Sequence, residues 1–276
     1  MERVAPHDVS GEGVPVVLLH GSMNTRRQWR GLHRSLEASY KVISVDLTGY
    51  GEAVFPENPD THTMEAEAHR VHRLLYEELG CEEPCHLVGH SYGGAISLCF
   101  AVLYPEDALS LTLFEPMSNH LLVDFESEVS DAGIALIEMI TEYHERGDDV
   151  GGARAFFNHL TGTETFGLLP DGAKKALSVG VGKMLLDYRT TMETGFTLAD
   201  YCGIESSICL IQGRDSPKLT TAVTGVLATA LEGARHILTS GDHMAPVFFA
   251  DEVNMAVMEH IAWVEETAES VHKQVV

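Results

Sequence analysis

Gly89-His90-Ser91-Tyr92-Gly93 places a serine between two glycines in G-x-S-x-G order. The apolar run Cys85 to Gly89 (CHLVG) leads into it, and Tyr92 to Leu103 reads as a helix that stops near Pro105. Two glycines let a chain turn sharply from strand to helix without a side-chain clash, which leaves the Ser91 hydroxyl at the tip. A helix starting just after the serine also presents free N–H groups to a developing negative charge. The chemistry this suits is nucleophilic attack. A serine hydroxyl is a poor nucleophile at neutral pH and needs a base within hydrogen-bond reach. Of the 15 histidines, His243 stands out by context: it follows Arg235 to Leu238 (RHIL) and a Gly-Asp step, and it precedes Pro246. A carboxylate must then hold the imidazole in the right tautomer. Glu115, in Leu113-Phe114-Glu115-Pro116, ends an apolar strand, where an isolated buried carboxylate is costly and needs a partner. Its competing role is an ion pair or cap at the root of the segment that follows. Asp215, in Gly213-Arg214-Asp215-Ser216-Pro217, is a second carboxylate just after a predicted strand.

The elements that must position these residues alternate. Val14 to His20 (VPVVLLH), Lys41 to Asp46 (KVISVD), Cys85 to Gly89 and Leu109 to Phe114 (LSLTLF) read as buried strands. Helical spacing fits Thr25 to Ser39, through Trp29, Leu32 and Leu36. It also fits Thr61 to Leu79, with Thr61 as cap and Gly80 as stop. Such alternation predicts a parallel sheet covered on both faces by helices, with the site at the C-terminal ends of the strands. From Met117 to about Gly203 the rhythm breaks into helix-like stretches interrupted by Gly and Pro, and we read this as a helical insertion. The alternation resumes with a strand at Ile208 to Gln212, a helix over Thr220 to Leu231, a strand at Arg235 to Leu238, and a last helix from about Pro246 to Ala268.

Over nearly its full length the chain resembles the α/β-hydrolase superfamily. His20-Gly21 resembles the oxyanion-loop motif, Asp46-Leu47-Thr48-Gly49-Tyr50-Gly51 the D-x-x-G-x-G turn, and Gly89 to Gly94 (GHSYGG) the nucleophile elbow. Gly241-Asp242-His243 resembles the late G-x-H motif. The resemblance implies an α/β fold with a mostly parallel twisted sheet. Residues 1–116 and 204–276 would form the core, and 117–203 a helical cap. Only 13 residues precede the first clear strand, which leaves the usual leading hairpin short or missing.

The resemblance also implies roles. His243 becomes the base, and His20 a loop-organising residue. His90 would point away from the site if Ser91 points into it. The oxyanion donors would be the backbone N–H groups of Tyr92 and Ser22, with Met23 as the neighbouring possibility. The commoner family position for the acid falls on Ser216, one residue beyond Asp215, whereas a minority carry it where Glu115 stands. Glu115 is therefore favoured, with Asp215 kept open. Related dehalogenases and epoxide hydrolases place an aspartate at the nucleophile, so Ser91 favours acyl transfer to water. The expected activity is hydrolysis of a carboxylic ester or lactone through an acyl-serine. A C–C bond hydrolase, an amidase, an acyltransferase or a non-catalytic binding protein on the same fold are the competing readings.

Other residues carry weaker signals. Met23, Trp29, Tyr92, Met117 and Met244 are candidates to line an apolar pocket, Asp46, Gly49 and Gly51 form a structural turn, and Arg26 and Arg27 are expected at the surface. In a chain of 276 residues, 18 basic side chains face 41 acidic ones, for a formal charge of −23. That charge disfavours binding to nucleic acid or anionic membranes. The sequence shows no secretory signal, membrane-length apolar run, phosphate-cradling loop or metal-spaced cluster. We expect a cytoplasmic enzyme with reduced, mostly buried thiols, a small-molecule substrate and no cofactor. The oligomeric state is open.

Overall fold

The computed structural model describes residues 5–123 and 128–275. Among the described residues seven strands form one sheet: β1 (His7–Ser10), β2 (Pro15–Leu19), β3 (Lys41–Val45), β4 (Cys85–His90), β5 (Ala108–Phe114), β6 (Ser207–Gly213) and β7 (Arg235–Thr239). Their order is β1-β3-β2-β4-β5-β6-β7. Only β1 is antiparallel, pairing with β3 from His7 opposite Val45 to Ser10 opposite Val42. The leading segment is thus one short strand at the sheet edge. Strand order reverses at β2, whose C-terminal end lies beside that of β4. Loops leaving such a switch point diverge and open a crevice.

The central strands are apolar on both faces because both faces are covered. Val17, Leu19, Ile43, Leu87, Leu111 and Leu113 pack into one layer. It is shared with helices α2 (Met64–Arg73), α3 (Tyr92–Leu103) and α9 (Lys218–Ala230). Val16, Leu18, Val42, Val88, Phe114 and Ile211 pack into the other. There they meet α1 (Arg30–Leu36) and α11 (Ala250–Val275). Between β5 and β6 lie α4 (Glu128–Glu145), α5 (Asp149–Thr161), α6 (Asp171–Val179), α7 (Val181–Met192) and α8 (Leu198–Cys202). A separate apolar cluster around Ile140, Phe157, Phe166, Val181 and Met184 holds this helical stretch together.

Several boundaries differ from the sequence reading. The cap of α2 is Thr63, whose hydroxyl accepts the Ala66 N–H, and Thr61 sits in a preceding 3-10 turn. The expected helix at Thr25 begins as a 3-10 turn, Arg26–Trp29, before α1. The last helix is broken at Phe249, between α10 (Ala245–Phe248) and α11. Arg26 is not a surface residue. It is buried, its backbone N–H donates to Asp46 at 2.8 Å, and its guanidinium pairs with Asp46 and with Asp8. Asp46 also accepts the Glu52 N–H at 2.9 Å. A Cβ on Gly51 would lie 2.2 Å from that carboxylate, so the turn needs glycine there. All five cysteines are free, and only Cys202 is exposed. No helix among the described residues is long and apolar enough to cross a membrane.

Two buried histidines bond hydroxyls of the sheet. His86 Nδ1 meets Ser110 Oγ at 2.7 Å, and His260 Nδ1 meets Thr112 Oγ1 at 2.8 Å. Burial lowers His20, His86 and His260 from 6.5 to about 4. Above pH 6.5 the folded and unfolded chains both hold these rings neutral. Between 6.5 and about 4 the unfolded chain takes up protons that the fold excludes, so stability falls as pH falls. Glu67 is held at about 2, where the charge and bonds of Arg70 and Thr48 overcome burial, and it acts in the same direction below pH 4.5. Thermal melts should show Tm dropping by more than about 5 °C from pH 6.5 to 4.5. A flat Tm across that window would contradict the assignment of neutral buried rings.

Candidate active site

Where β4 gives way to α3, Ser91 holds φ 52° and ψ −116°, a left-handed backbone that non-glycine residues avoid. The neighbouring glycines make the turn fit. A Cβ on Gly89 would stand 2.5 Å from the Gly93 carbonyl oxygen, and one on Gly93 would stand 2.4 Å from the Leu19 carbonyl oxygen. The turn is tied to the end of β5: Ser91 N–H donates to the Phe114 carbonyl at 3.0 Å, and Met117 N–H donates to the Ser91 carbonyl at 2.9 Å.

Glu115 follows β5 directly, also at positive φ (41°). Its N–H donates to the Ile211 carbonyl at 3.1 Å, and its Oε1 accepts the Gly213 N–H at 2.9 Å. The other oxygen, Oε2, lies 2.7 Å from His243 Nδ1. Burial pushes the Glu115 carboxyl up, but the bond and charge of His243 and the Gly213 N–H outweigh it, so it is held below its ordinary value. With Nδ1 engaged, Nε2 is the ring nitrogen left for proton transfer. Asp215 sits differently. It is exposed, its N–H donates to the Gly241 carbonyl at 2.9 Å, and no hydrogen bond joins its carboxylate to His243.

Two other histidines support this arrangement. His20 is buried, with Nδ1 2.7 Å from the Gly21 carbonyl and Nε2 accepting the Leu47 N–H at 3.0 Å. His90 is turned from the cavity. Its Nε2 donates to the His243 carbonyl at 2.9 Å, and its ring lies 4.8 Å from that of His243. The sequence pointed to His90 only as a residue facing away; its grip on the His243 loop depends on the tertiary fold.

The loop after β2 closes on Ser91. A Cβ on Gly21 would lie 3.3 Å from Ser91 Cβ and 2.8 Å from His90 Nδ1. Met23 takes φ 60°. Tyr92 begins α3 and is fully buried. Beneath this loop lies a cluster that the sequence reading missed. Asp187 on α7 accepts from Ser22 Oγ and from Tyr50 OH, each at 2.6 Å, and pairs with Lys183. All that marks it in the sequence is a Lys and an Asp four apart, a spacing typical of solvated helix faces.

A cavity opens over Ser91, Glu115 and His243. Met117, Leu136, Ile137, Phe156, Met184 and Leu219 form most of its wall, and Asn119, His159, Tyr188 and Thr220 supply polar lining. Of the expected pocket residues, Met117 lines it. Met23 and Met244 instead pack on the apolar cluster of the helical stretch. Trp29 is only 1% exposed and fills the layer beneath α11, so it is a core residue. Missing from the sequence reading were the walls from α4, α5 and α7, because separation along the chain says nothing of which helix faces meet. Among the described residues no group of three or more His, Cys, Asp or Glu side chains could hold a metal ion.

Comparisons with known proteins agree with this architecture. One stretch is 38% identical over 108 residues to Lipase 1 of Psychrobacter immobilis, covering 39% of this chain and 32% of that protein. Another is 36% identical over 110 residues to the 2-hydroxy-6-oxo-2,4-heptadienoate hydrolase of Pseudomonas putida, covering 39% of this chain and 38% of that protein. The matches thus span about a third of these relatives' lengths. Among solved structures, an α/β hydrolase, MGS-M2, from a Medee basin deep-sea metagenome library superposes with a TM-score of 0.76 at 16% identity, over 93% of both chains. A thermophilic esterase from Thermogutta terrifontis gives 0.72 at 20%, over 94% of this chain and 93% of that one. The model of the alpha/beta hydrolase family matches residues 16–262, and the chain belongs to that family.

Proposed function

We propose that this protein is a serine hydrolase that cleaves an uncharged carboxylic ester or lactone through an acyl-Ser91 intermediate. The observation that carries the reading is the 2.7 Å contact of His243 Nδ1 with Glu115 in the same cavity wall as Ser91. His243 Nε2 takes the Ser91 proton as Oγ attacks the carbonyl carbon, and Glu115 holds the imidazolium that forms. The backbone N–H groups of Tyr92 and Ser22 meet the oxyanion, with the Met23 N–H as the neighbouring alternative to Ser22. Collapse passes the proton from His243 to the departing alkoxide. Water, deprotonated by His243, then attacks the acyl group and frees Ser91. Residues 117–203 act as a cap over a core formed by 1–116 and 204–276.

Relatives named as hydrolases of hydroxy-oxo-dienoates make C–C bond cleavage the second reading. The cavity favours the first. A dienoate carries a carboxylate that a buried site must pair. No Lys or Arg is among the described residues lining the cavity.

A panel of p-nitrophenyl esters of graded chain length tests the proposal. Turnover should be measurable on at least the short esters and fall by about 10⁴-fold or more in Ser91→Ala. Absence of turnover together with no labelling by a fluorophosphonate probe would sink it. Glu115→Gln should lower kcat by about 10²- to 10⁴-fold, whereas Asp215→Asn should stay within about twofold of wild type. The reverse ranking would move the acid to the later loop. Ile137→Trp, which fills part of the cavity, should cut kcat/KM for the longest accepted ester by about tenfold and spare the acetate.

A further inference from the structure

We propose that Asp187 and Lys183 on α7 are positioning residues that set the oxyanion loop, so that a helix of the insertion helps determine how fast Ser91 reacts. The inference rests on the serine-hydrolase reading and extends it.

The contacts converge on both halves of the proposed oxyanion hole. On one side, Asp187 Oδ2 accepts from Ser22 Oγ and Tyr50 OH at 2.6 Å each. The strained residue of the loop, Met23 at φ 60°, is thereby held through its neighbour's side chain. Gly180, just before α7, packs against it: a Cβ there would lie 3.4 Å from Met23 Cα. On the other side, Lys183 Nζ stands 4.9 Å from the ring centroids of both Tyr50 and Tyr92. Thr190 Oγ1 reaches the Tyr92 hydroxyl at 3.5 Å. The Lys183 stem crosses Gly49, where a Cβ would come within 3.1 Å of it.

This pair is expensive to bury. Asp187 and Lys183 are 0% and 3% exposed, and each charge needs the other. A hydrophobic pair would join α7 to the core equally well. What the carboxylate adds is direction: two hydroxyls from two loops are aimed at one oxygen. Backbone donors stabilise an oxyanion only when placed to a fraction of an ångström, and a misplacement of about 1 Å can cost about 10²-fold in rate. Position, not proton transfer, is the role of the pair.

The test uses the full chain, p-nitrophenyl acetate and a fluorophosphonate probe. Asp187→Asn, and separately the double variant Ser22→Ala with Tyr50→Phe, should lower kcat and the rate of Ser91 phosphonylation by about 10- to 100-fold, with KM within about threefold. Ser22→Thr, which keeps a hydroxyl, should retain most of the rate. Asp187→Asn leaves Lys183 buried without its carboxylate and can fail to fold. The Ser22/Tyr50 variant keeps the ion pair, and a thermal melt confirms its fold. If wild type labels with the probe but folded variants react at the wild-type rate, or lose only KM, the positioning role is overturned and the hydrolase reading stands. If wild type itself neither labels nor turns over, the hydrolase reading fails and takes the positioning role with it.

Discussion

The turn at Ser91 is the constraint around which the rest of the molecule is arranged. A left-handed non-glycine residue costs about 1–3 kcal/mol and persists only where its surroundings over-determine it. Here three strands do so. β4 delivers the chain, the carbonyls at the end of β2 leave room only for glycine at position 93, and Phe114 at the end of β5 and Met117 just beyond it both hydrogen-bond Ser91. Because β2, β4 and β5 are adjacent and parallel, their C-terminal ends bring the Gly21 loop, Ser91 and Glu115 to one edge. The next strand, β6, then supplies the Gly213 N–H that fixes the far oxygen of Glu115.

A second theme is how an acidic chain uses carboxylates inside. Asp46, Glu67, Glu115 and Asp187 are all buried, at 0–1% exposure, and each is met by donors from elements distant in sequence. Asp46 joins Arg26 to the Glu52 N–H, and Glu67 joins Arg70 to the Thr48 N–H. Glu115 joins His243 to β6, and Asp187 joins Lys183 to two loops. A buried carboxylate left short of donors is costly, so each acts as a clasp that tolerates few alternative loop conformations. Three of the four clasp the loops after β2 and β3 or the helix packed over them. The formal charge of −23 therefore belongs mostly to the surface, while basic residues are drawn inward to pair.

Much of the fold was legible because its signals are local. Buried strands such as Val16 to Leu19 announce themselves by apolar runs, and α3 is bounded where Ser91 and Pro105 place its ends. The errors are local too. Thr61 and Thr63 are equally good caps in isolation, and the break at Phe249 follows from packing: its ring stands 2.5 Å from where a Gly241 Cβ would be. Arg26 looked exposed because nothing nearby in sequence offers it a partner; Asp46 arrives from the next strand.

Sequence alone pointed to Ser91 as the candidate nucleophile, a glycine-flanked serine between a buried strand and a helix. It also singled out His243 from its loop and narrowed the acid to two residues. Only the tertiary structure decided which carboxylate touches the imidazole, because Glu115 and Asp215 differ in where β5 and β6 end in space, a matter of strand register and not of residue type. It likewise decided the cavity wall, the hold of His90 on the His243 loop, and the Lys183–Asp187 pair under the loop after β2. Each of these joins residues far apart in the chain, and hydrogen bonding and burial act over ångströms in space whatever the distance along the backbone.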